Sequence, residues 1–365
     1  MTKKISYSKV GDNYDTKDPI KKIAQVAARE TIINEKDFKE ITDSRGESAF
    51  VWQQGNTLMA SVVEGLGTKN LVADEMRKIT GKTYYDIIGY DTVATIINDL
   101  ITVGAKPRVV HAYWAIEDNN WLQDTNRMTD FINGWREACK ESLATWGGGE
   151  TPTLKGIVEK NTVDLGGSAI GVIKNAKHLI TDKKLKAGDR IIFLKSNGIN
   201  CNGISLARAV AKKLKKGYRE KLSNGQFFGE AILTKTNIYA KLIQDLLSAG
   251  IDIHYVSNIT GHGLRKVMRA RGNFTYVIET LFKPQEIFLF IQKHAGLTED
   301  EIYQTLNMGQ DYAIFIDPKD VKKAQAIINR NKFDSLDAGY IKSGPRQVII
   351  KPKNIVFSSE TLDLR

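Results

Sequence analysis

The chain predicts an α+β protein with α/β-like alternation, built as two domains, and three observations lead there. Its 365 residues exceed what a single hydrophobic core ordinarily organises. Helical and strand periodicities alternate through the second half. A polar, lysine-rich stretch from 175 to 189 breaks the apolar pattern as an interdomain connection would, giving domains 1–174 and 175–365.

The elements follow in order from periodicity. A helix is expected near 19–30, then strands near 48–54 and 58–63. The segment 83–103 reads as a long helix, because Ile87, Ile88, Ala94, Ile97 and Ile101 form an apolar stripe. A strand at 108–116 and a second long helix at 123–145 follow. Gly147-Gly148-Gly149 reads as a flexible turn, and a strand at 168–173 closes the first half. After the connection, Gly188-Asp189 turns into a strand at 190–194. Helices near 202–214, 229–248, 286–294 and 299–306 then alternate with strands near 252–256, 275–280 and 311–316.

Composition bounds the function. With only Cys139 and Cys201, a disulfide framework is not expected. No apolar run has the length of a membrane span, and Met1 to Asp12 lack the apolar core of a signal peptide, so a cytoplasmic protein without membrane partners is expected. The net charge of +11 raises nucleic acid as a partner. However, the lysine clusters at 183–186 and 212–216 lack a nucleic-acid fold signature, and the second suits a helix C-terminus. A solvated surface is the simpler reading, and positive potential would also draw in anionic nucleotides. His111, His178, His254 and His294 lack zinc-ligand spacing, and no base neighbours Ser196 or Ser205 for nucleophilic catalysis. Tyr113, Trp114 and Trp121 could stack on a base, but residues of this size more often fill a core or an interface.

The chemistry is carried by Glu64-Gly65-Leu66-Gly67-Thr68-Lys69, followed by Asp91, Asn98 and Asp99. Gly65 and Gly67 lack a Cβ and let backbone N–H groups approach phosphate oxygens, and Lys69 adds a point charge. The string is neither a Walker A loop nor G-x-G-x-x-G, and it is equally readable as a tight turn before a helix. Asp91 and Asn98 lie seven residues apart, nearly two turns, and so project from one side of their helix; Asp99 sits about 80° round. Oxygen ligands on one face suit Mg²⁺. The plainer reading is an acidic residue favouring a helix dipole, with solvated neighbours.

Taken in order, the strings resemble the phosphoribosylformylglycinamidine cyclo-ligase (aminoimidazole ribonucleotide synthetase) family over about 58–345. The resemblance rests on Glu64 to Lys69, Gly89 to Leu100, Gly104-Ala105-Lys106-Pro107 and Gly148-Gly149-Glu150-Thr151. It continues through Asp164, Gly167 and Gly171, then Ser196 to Arg208, Lys235 to Tyr239, Ile259 to Gly263 and Tyr303 to Gly309. It implies a two-domain fold with mixed sheets covered by helices, the N-terminal sheets of two subunits joining in a barrel in a homodimer. It implies an N-terminal ATP/Mg-binding and dimerisation domain, a C-terminal substrate-binding domain, and ATP-dependent ring closure of a phosphorylated nucleotide precursor in purine biosynthesis, with ATP and Mg²⁺ as cofactors.

Carried over residue by residue, the resemblance gives Glu64, Asp91 and Glu150 to Mg²⁺. Gly65, Gly67, Thr68, Lys69, Gly148 and Gly149 fall beside the nucleotide, with Asn98 and Asp99 ordering that shell. Ser196, Gly198, Asn200, Asn202, Gly203, Thr260 and Gly261 face the substrate, and Asp91, Lys69, Asn258 and His262 the chemistry, with His262 as proton carrier.

The departures are specific. Asn200 and Asn258 stand where the family has histidines, Glu64 where it has aspartate, and Thr153 where it has a carboxylate. Asparagine cannot carry a proton through a cycle. Two alternatives therefore stay open: another ATP-dependent phosphoryl-transfer member of the superfamily, or a catalytically inactive nucleotide-binding paralogue.

Overall fold

The protein is described from a computed structural model covering residues 4, 5, 10, 14–33 and 35–362. Most of Met1 to Asp12 lies outside the described residues.

The first half is built on a six-stranded sheet with strand order β1-β2-β3-β6-β4-β5. Its strands are β1 (Phe38–Glu40), β2 (Phe50–Gln54), β3 (Thr57–Gly65), β4 (Lys106–Ile116), β5 (Thr145–Glu150) and β6 (Val163–Ile173). Along β6 every second residue from Val163 to Ile173 is buried, the period-two signature of a sheet covered on one face. The buried face is covered chiefly by α3 (Tyr85–Leu100), which packs on β3 and β6, with α2 (Lys69–Thr80) and α4 (Thr125–Glu141) packed against α3; α1 (Tyr14–Arg29) precedes the sheet and leaves Ile20, Ile23 and Val26 exposed. On the other face Val63 is 77% exposed and Tyr113 41% exposed.

The crossing of α3 and α4 is set by glycine. A Cβ on Gly89 would lie 2.2 Å from the Phe131 carbonyl oxygen, and one on Gly134 would lie 1.9 Å from that of Asp86. Around that crossing Trp114, Trp135 and Phe131 pack edge to face, with Tyr85 and Trp121 beyond. Trp114 and Trp121 are thus core residues rather than a stacking platform, at 9% and 4% exposure.

The second half is a seven-stranded sheet, order β13-β12-β9-β11-β7-β10-β8. It comprises β7 (Arg190–Lys195), β8 (Ile253–Asn258), β9 (Phe274–Ile278), β10 (Gln310–Ile316), β11 (Ser335–Ser343), β12 (Gln347–Ile350) and β13 (Ile355–Ser358). Both β8 and β10 are buried at every residue, so both faces of this sheet are covered. Its helices are α5 (Ile204–Lys213), α6 (Phe228–Ile232), α7 (Ala240–Ser248), α8 (Glu286–Ala295), α9 (Glu299–Tyr303) and α10 (Val321–Arg330).

The architecture agrees with the expected mixed sheets and helices, and no closed barrel forms among the described residues of the chain. Several local readings change. The helix expected at 19–30 begins at Tyr14 and carries Pro19 inside it. The glycine run at 147–149 is not a turn but part of β5, which pairs in parallel with β4 at that sheet's edge. The single helix expected at 229–248 is two, α6 and α7, separated by the extended segment 233–239. That interruption builds the site.

Candidate active site

As the helical period requires, Asp91 and Asn98 share one side of α3, and that side meets the segment between α6 and α7. Asp91 Oδ1 accepts the Thr236 N–H at 2.8 Å, and its Oδ2 receives the Lys69 ammonium at 2.5 Å. Lys69 also donates to the Thr234 carbonyl at 2.8 Å. Asn98 donates to the Asn237 carbonyl at 2.7 Å and accepts the Tyr239 N–H at 3.1 Å. Neither the Lys69 nor the Asp91 side chain has any exposed surface. The lysine expected on phosphates and the carboxylate expected on metal neutralise each other in a clamp between the two halves. In the loop before Lys69, Gly67 has φ +75° whereas Gly65 is the last residue of β3, and Thr68 Oγ1 is buried without a hydrogen-bond partner.

Next to this clamp lies a cleft of about 410 Å³ formed by both halves. Glu64 and Gly65 enter from the end of β3, Asn98 and Asp99 from α3, Asn200 and Asn202 from the turn before α5. Asn258 enters from the end of β8, and Thr260, Gly261 and His262 from the turn after it. Asp99 is fixed by Asn258, whose amide donates to its Oδ1 at 2.7 Å. Burial and the neighbouring Asp99 charge push the Glu64 carboxyl up to about 7, against a pull downward from Lys266. Burial and then Arg269 bring the Lys266 ammonium down to about 8, while Asp99 and Glu64 oppose them. Lys17 and Lys21 of α1 and Arg269 complete a basic wall. His262, expected to carry a proton, is held neutral instead. Burial, then the cations Lys266, Arg265, Lys21 and Arg269, lower it to about 2.

The turn 196–203 is organised from behind. Ser196 donates its hydroxyl to Asn307 Oδ1 at 3.3 Å, and Asn307 Nδ2 donates to the Gly198 carbonyl at 3.0 Å. Asn200 adopts φ +57° and donates its amide to Asp311 Oδ1 at 2.5 Å; its own Oδ1 is buried without a partner at the cleft wall. Asp311 Oδ2 accepts the Tyr239 hydroxyl at 2.7 Å, and burial pushes the Asp311 carboxyl up to about 7. Gly203, at φ +79°, leads into α5 where a Cβ would lie 2.1 Å from Leu306 Cδ2. Asn202 therefore reaches the cleft, whereas Ser196, Gly198 and Gly203 shape the turn behind it.

The expected metal trio is not assembled. In the strand register Glu150 aligns with Tyr113, Gly166 and Gly65, one residue out of phase with Glu64. It therefore faces the opposite side of the sheet, three strand spacings or roughly 14 Å away. Gly148 and Gly149 share that edge strand and do not reach the cleft. Asp91 is committed to Lys69. Among the described residues, no group of three His, Cys, Asp or Glu is placed to hold a metal. Sequence reasoning also missed Lys266, Asp311, Lys17, Lys21 and Arg269. Lys266 had a faint signal, four residues after His262 in a string read only as far as Gly263. Asp311 was visible only as the first residue of an expected strand.

Residues 46–173 match the family model for the N-terminal domain of AIR synthase related proteins, and residues 186–351 match that for the C-terminal domain. The phosphoribosylformylglycinamidine cyclo-ligase of Methanocaldococcus jannaschii is 33% identical over 279 residues, 76% of each chain. That of Carboxydothermus hydrogenoformans is 32% identical over 305 residues, 80% of this chain and 83% of its own. Among solved structures, a HypE-HypF complex superposes with a TM-score of 0.62 at 18% identity, covering 92% of this chain and 98% of that one. AaThiL complexed with AMPPCP and TMP gives 0.60 at 13% identity, covering 96% of each. T. maritima PurL complexed with ADP gives 0.55 at 14% identity, covering 88% of this chain and 48% of that one. The likeness to these structures is one of fold.

Proposed function

The chain belongs to the AIR synthase related family, and from that premise we propose that it closes formylglycinamidine ribonucleotide to aminoimidazole ribonucleotide, using ATP and releasing ADP and phosphate. What carries the reading is the agreement between relatives about 30% identical over most of the chain, named as cyclo-ligases, and a cleft whose lining suits anionic substrates.

In this reading the γ-phosphoryl group of ATP activates the amide-type oxygen of the substrate. The amidine nitrogen of the same molecule attacks the activated carbon, and phosphate leaves in place of a poor oxygen leaving group. The protein's part is positioning and charge neutralisation. Lys17, Lys21, Lys266 and Arg269 line the cleft and supply positive potential. The turn at Asn200 and Asn202 opens α5, whose N-terminal N–H groups suit the substrate phosphate. Asn200 Oδ1, orientated by Asp311, offers a fixed acceptor to a substrate N–H. Asn258 and Asp99 form the wall facing the reacting centre. Gly65, Gly67 and Thr68 provide the backbone at the nucleotide phosphates.

Glu64, Asp91 and Glu150 do not fit a metal held by this chain alone, so no step is routed through one. The reading includes a homodimer formed through the uncovered face of the first sheet, where Val63 and Tyr113 are exposed. It also includes the division of roles at 1–174 and 175–365, and a cytoplasmic location. No helix among the described residues is long and apolar enough to cross a membrane.

Asn200 and Asn258, which stand in the cleft where the family has histidines, favour one other reading, an ATP-dependent relative acting on a different substrate or an inactive nucleotide-binding paralogue. ADP release from purified protein with ATP and Mg²⁺ separates them. Release that requires formylglycinamidine ribonucleotide and matches aminoimidazole ribonucleotide in a colour assay supports ring closure. Nucleotide binding without product under that substrate points to the other reading.

A further inference from the structure

Away from the cleft, a second cavity of about 840 Å³ opens where α2 and the turn before β6, from the first half, face α5 and Tyr218 from the second. The halves touch beside it: a Cβ on Gly229 of α6 would lie 2.1 Å from Met76 Sδ of α2 and 3.1 Å from Tyr218 Cβ, and the Tyr84 hydroxyl donates to Glu230 Oε1 at 3.0 Å. Its volume is in the range that holds a small molecule. Its charge is not balanced. Two of its cations are already neutralised, Arg77 by Asp124 and Lys78 by Glu75 at 2.6 Å. Arg127, Lys160, Arg208 and Lys212 also line it, and none of the four makes an ion pair among the described residues. Arg127 is fixed in place, its guanidinium lying 4.2 Å from the Trp121 ring centroid and donating to the Trp121 carbonyl. Arg208 and Lys212 are four residues apart on α5, a spacing at which like charges repel. The C-terminal end of α5 suits Lys212, but Arg208 sits mid-helix, where the dipole offers nothing. Facing the four cations are two carboxyls outside ion pairs: Glu159, and Asp74, which accepts the Tyr85 hydroxyl at 3.0 Å and is pushed up by burial.

We propose that this cavity is a second ligand site, for a small molecule carrying a chain of two or more phosphates, held by Arg127, Lys160, Arg208 and Lys212. The two guanidinium groups suit phosphate oxygens because their forked donors bind them bidentately, and the two ammonium groups act as point charges. A single phosphate would leave most of the cavity and most of the charge unused. Leu71 and the half-buried Tyr218 supply an apolar wall. The site shares no lining residue with the cleft of Glu64 and Asp99, so it is independent of the reaction performed there. Because its walls come from both halves, a bound phosphate chain links them from outside that cleft.

The test is lysine acetylation of the full chain, timed and read residue by residue by mass spectrometry, with submillimolar sodium tripolyphosphate, ATP or sulfate at matched ionic strength. Tripolyphosphate at about ten times its Kd should slow the modification of Lys160 and Lys212 on the order of 10-fold. Lys215 and Lys216, in the same basic run but outside the cavity, should react as before. Arg208→Ala, and independently Lys212→Glu, should abolish the protection of Lys160 in a protein that circular dichroism shows to be folded. ATP acting at lower concentration than tripolyphosphate identifies a nucleotide, and equal concentrations identify the phosphate chain alone; both support the site. Equal protection of Lys215 and Lys216, or equal protection by sulfate, means diffuse attraction of anions and overturns the proposal. So does protection confined to Lys17, Lys21 and Lys266 of the cleft, or protection of Lys160 that survives in both folded variants. A protein that makes no aminoimidazole ribonucleotide but shows the Lys160 and Lys212 protection refutes the substrate assignment and leaves this inference standing.

Discussion

Replacing Asp91 with asparagine should unfold the protein more readily before it tells anything about catalysis. The Lys69 ammonium is held by the Asp91 carboxylate at 2.5 Å and the Thr234 carbonyl at 2.8 Å, and neither side chain of the pair has exposed surface. The amide oxygen of the Asp91→Asn variant would still accept the Thr236 N–H, so the backbone bond survives; the ammonium would be left buried against neutral groups alone. Breaking one partner of a fully buried pair costs about 3–5 kcal/mol, because the surviving charge is uncompensated. Lys69→Met should cost about as much by stranding the carboxylate. The double variant Lys69→Met/Asp91→Asn removes both charges, so its loss should fall short of the summed single losses by about 3 kcal/mol or more. Urea unfolding of the four proteins at pH 7 reads this directly from midpoints and slopes. A loss below about 1 kcal/mol for Asp91→Asn, or strict additivity in the cycle, refutes the picture of a charge-paired interdomain clamp.

Other consequences are read more simply. The Asp311 carboxyl titrates near 7 in the folded protein, against about 4 in an unfolded chain. The folded state thus keeps a proton that the unfolded chain has released. Stability from this group is greatest below about pH 4, falls as pH rises to about 7, and is level above it, by on the order of a few kcal/mol. Melting temperatures between pH 4 and 8 should show that decline in wild type and a shallower one in Asp311→Asn; parallel curves would argue against it. Gly134→Ala places a Cβ 1.9 Å from the Asp86 carbonyl oxygen and must push α3 and α4 apart, costing about 1–3 kcal/mol or more in denaturant. Gly198→Ala, whose Cβ would meet Thr234 at 3.6 Å, should change stability by less than about 1 kcal/mol. Asn258→Ala removes the donor to Asp99 and should lower kcat/KM by about 10- to 100-fold, the equivalent of one charge-assisted hydrogen bond, in an ADP-release assay with saturating ATP. A kcat/KM within about twofold of wild type would mean that Asp99 needs no such support.

Much of the fold was legible because periodicity is local. The stripe Ile87, Ile88, Ala94, Ile97 and Ile101 does follow one helix and the turn that ends it, and Asp91 and Asn98 do share a side of it. Where local signals conflicted, the reading went astray. Gly147-Gly148-Gly149 carries turn composition but is held as an edge strand by pairing with β4, a partner distant in sequence. The helix expected at 229–248 is interrupted at 233–239 because its backbone groups are claimed by Asp91, Asn98 and Lys69 from the other half.

The candidate site divides in the same way. By itself, the sequence determined which residue types were available near a glycine-rich turn, the phase of Asp91, Asn98 and Asp99 on their helix, and the family resemblance that its ordered motifs carry. Only the tertiary structure decided how those charges are used. Lys69 and Asp91 are separated by 22 residues and neutralise each other under the second domain. Glu64 and Asp99 line one cleft with Lys266, which comes from the far half of the chain. Glu150 falls on the opposite face of its sheet. The physical reason is that a charge's role depends on what it meets after burial, and Coulomb interactions and desolvation act through space whereas periodicity acts along the chain.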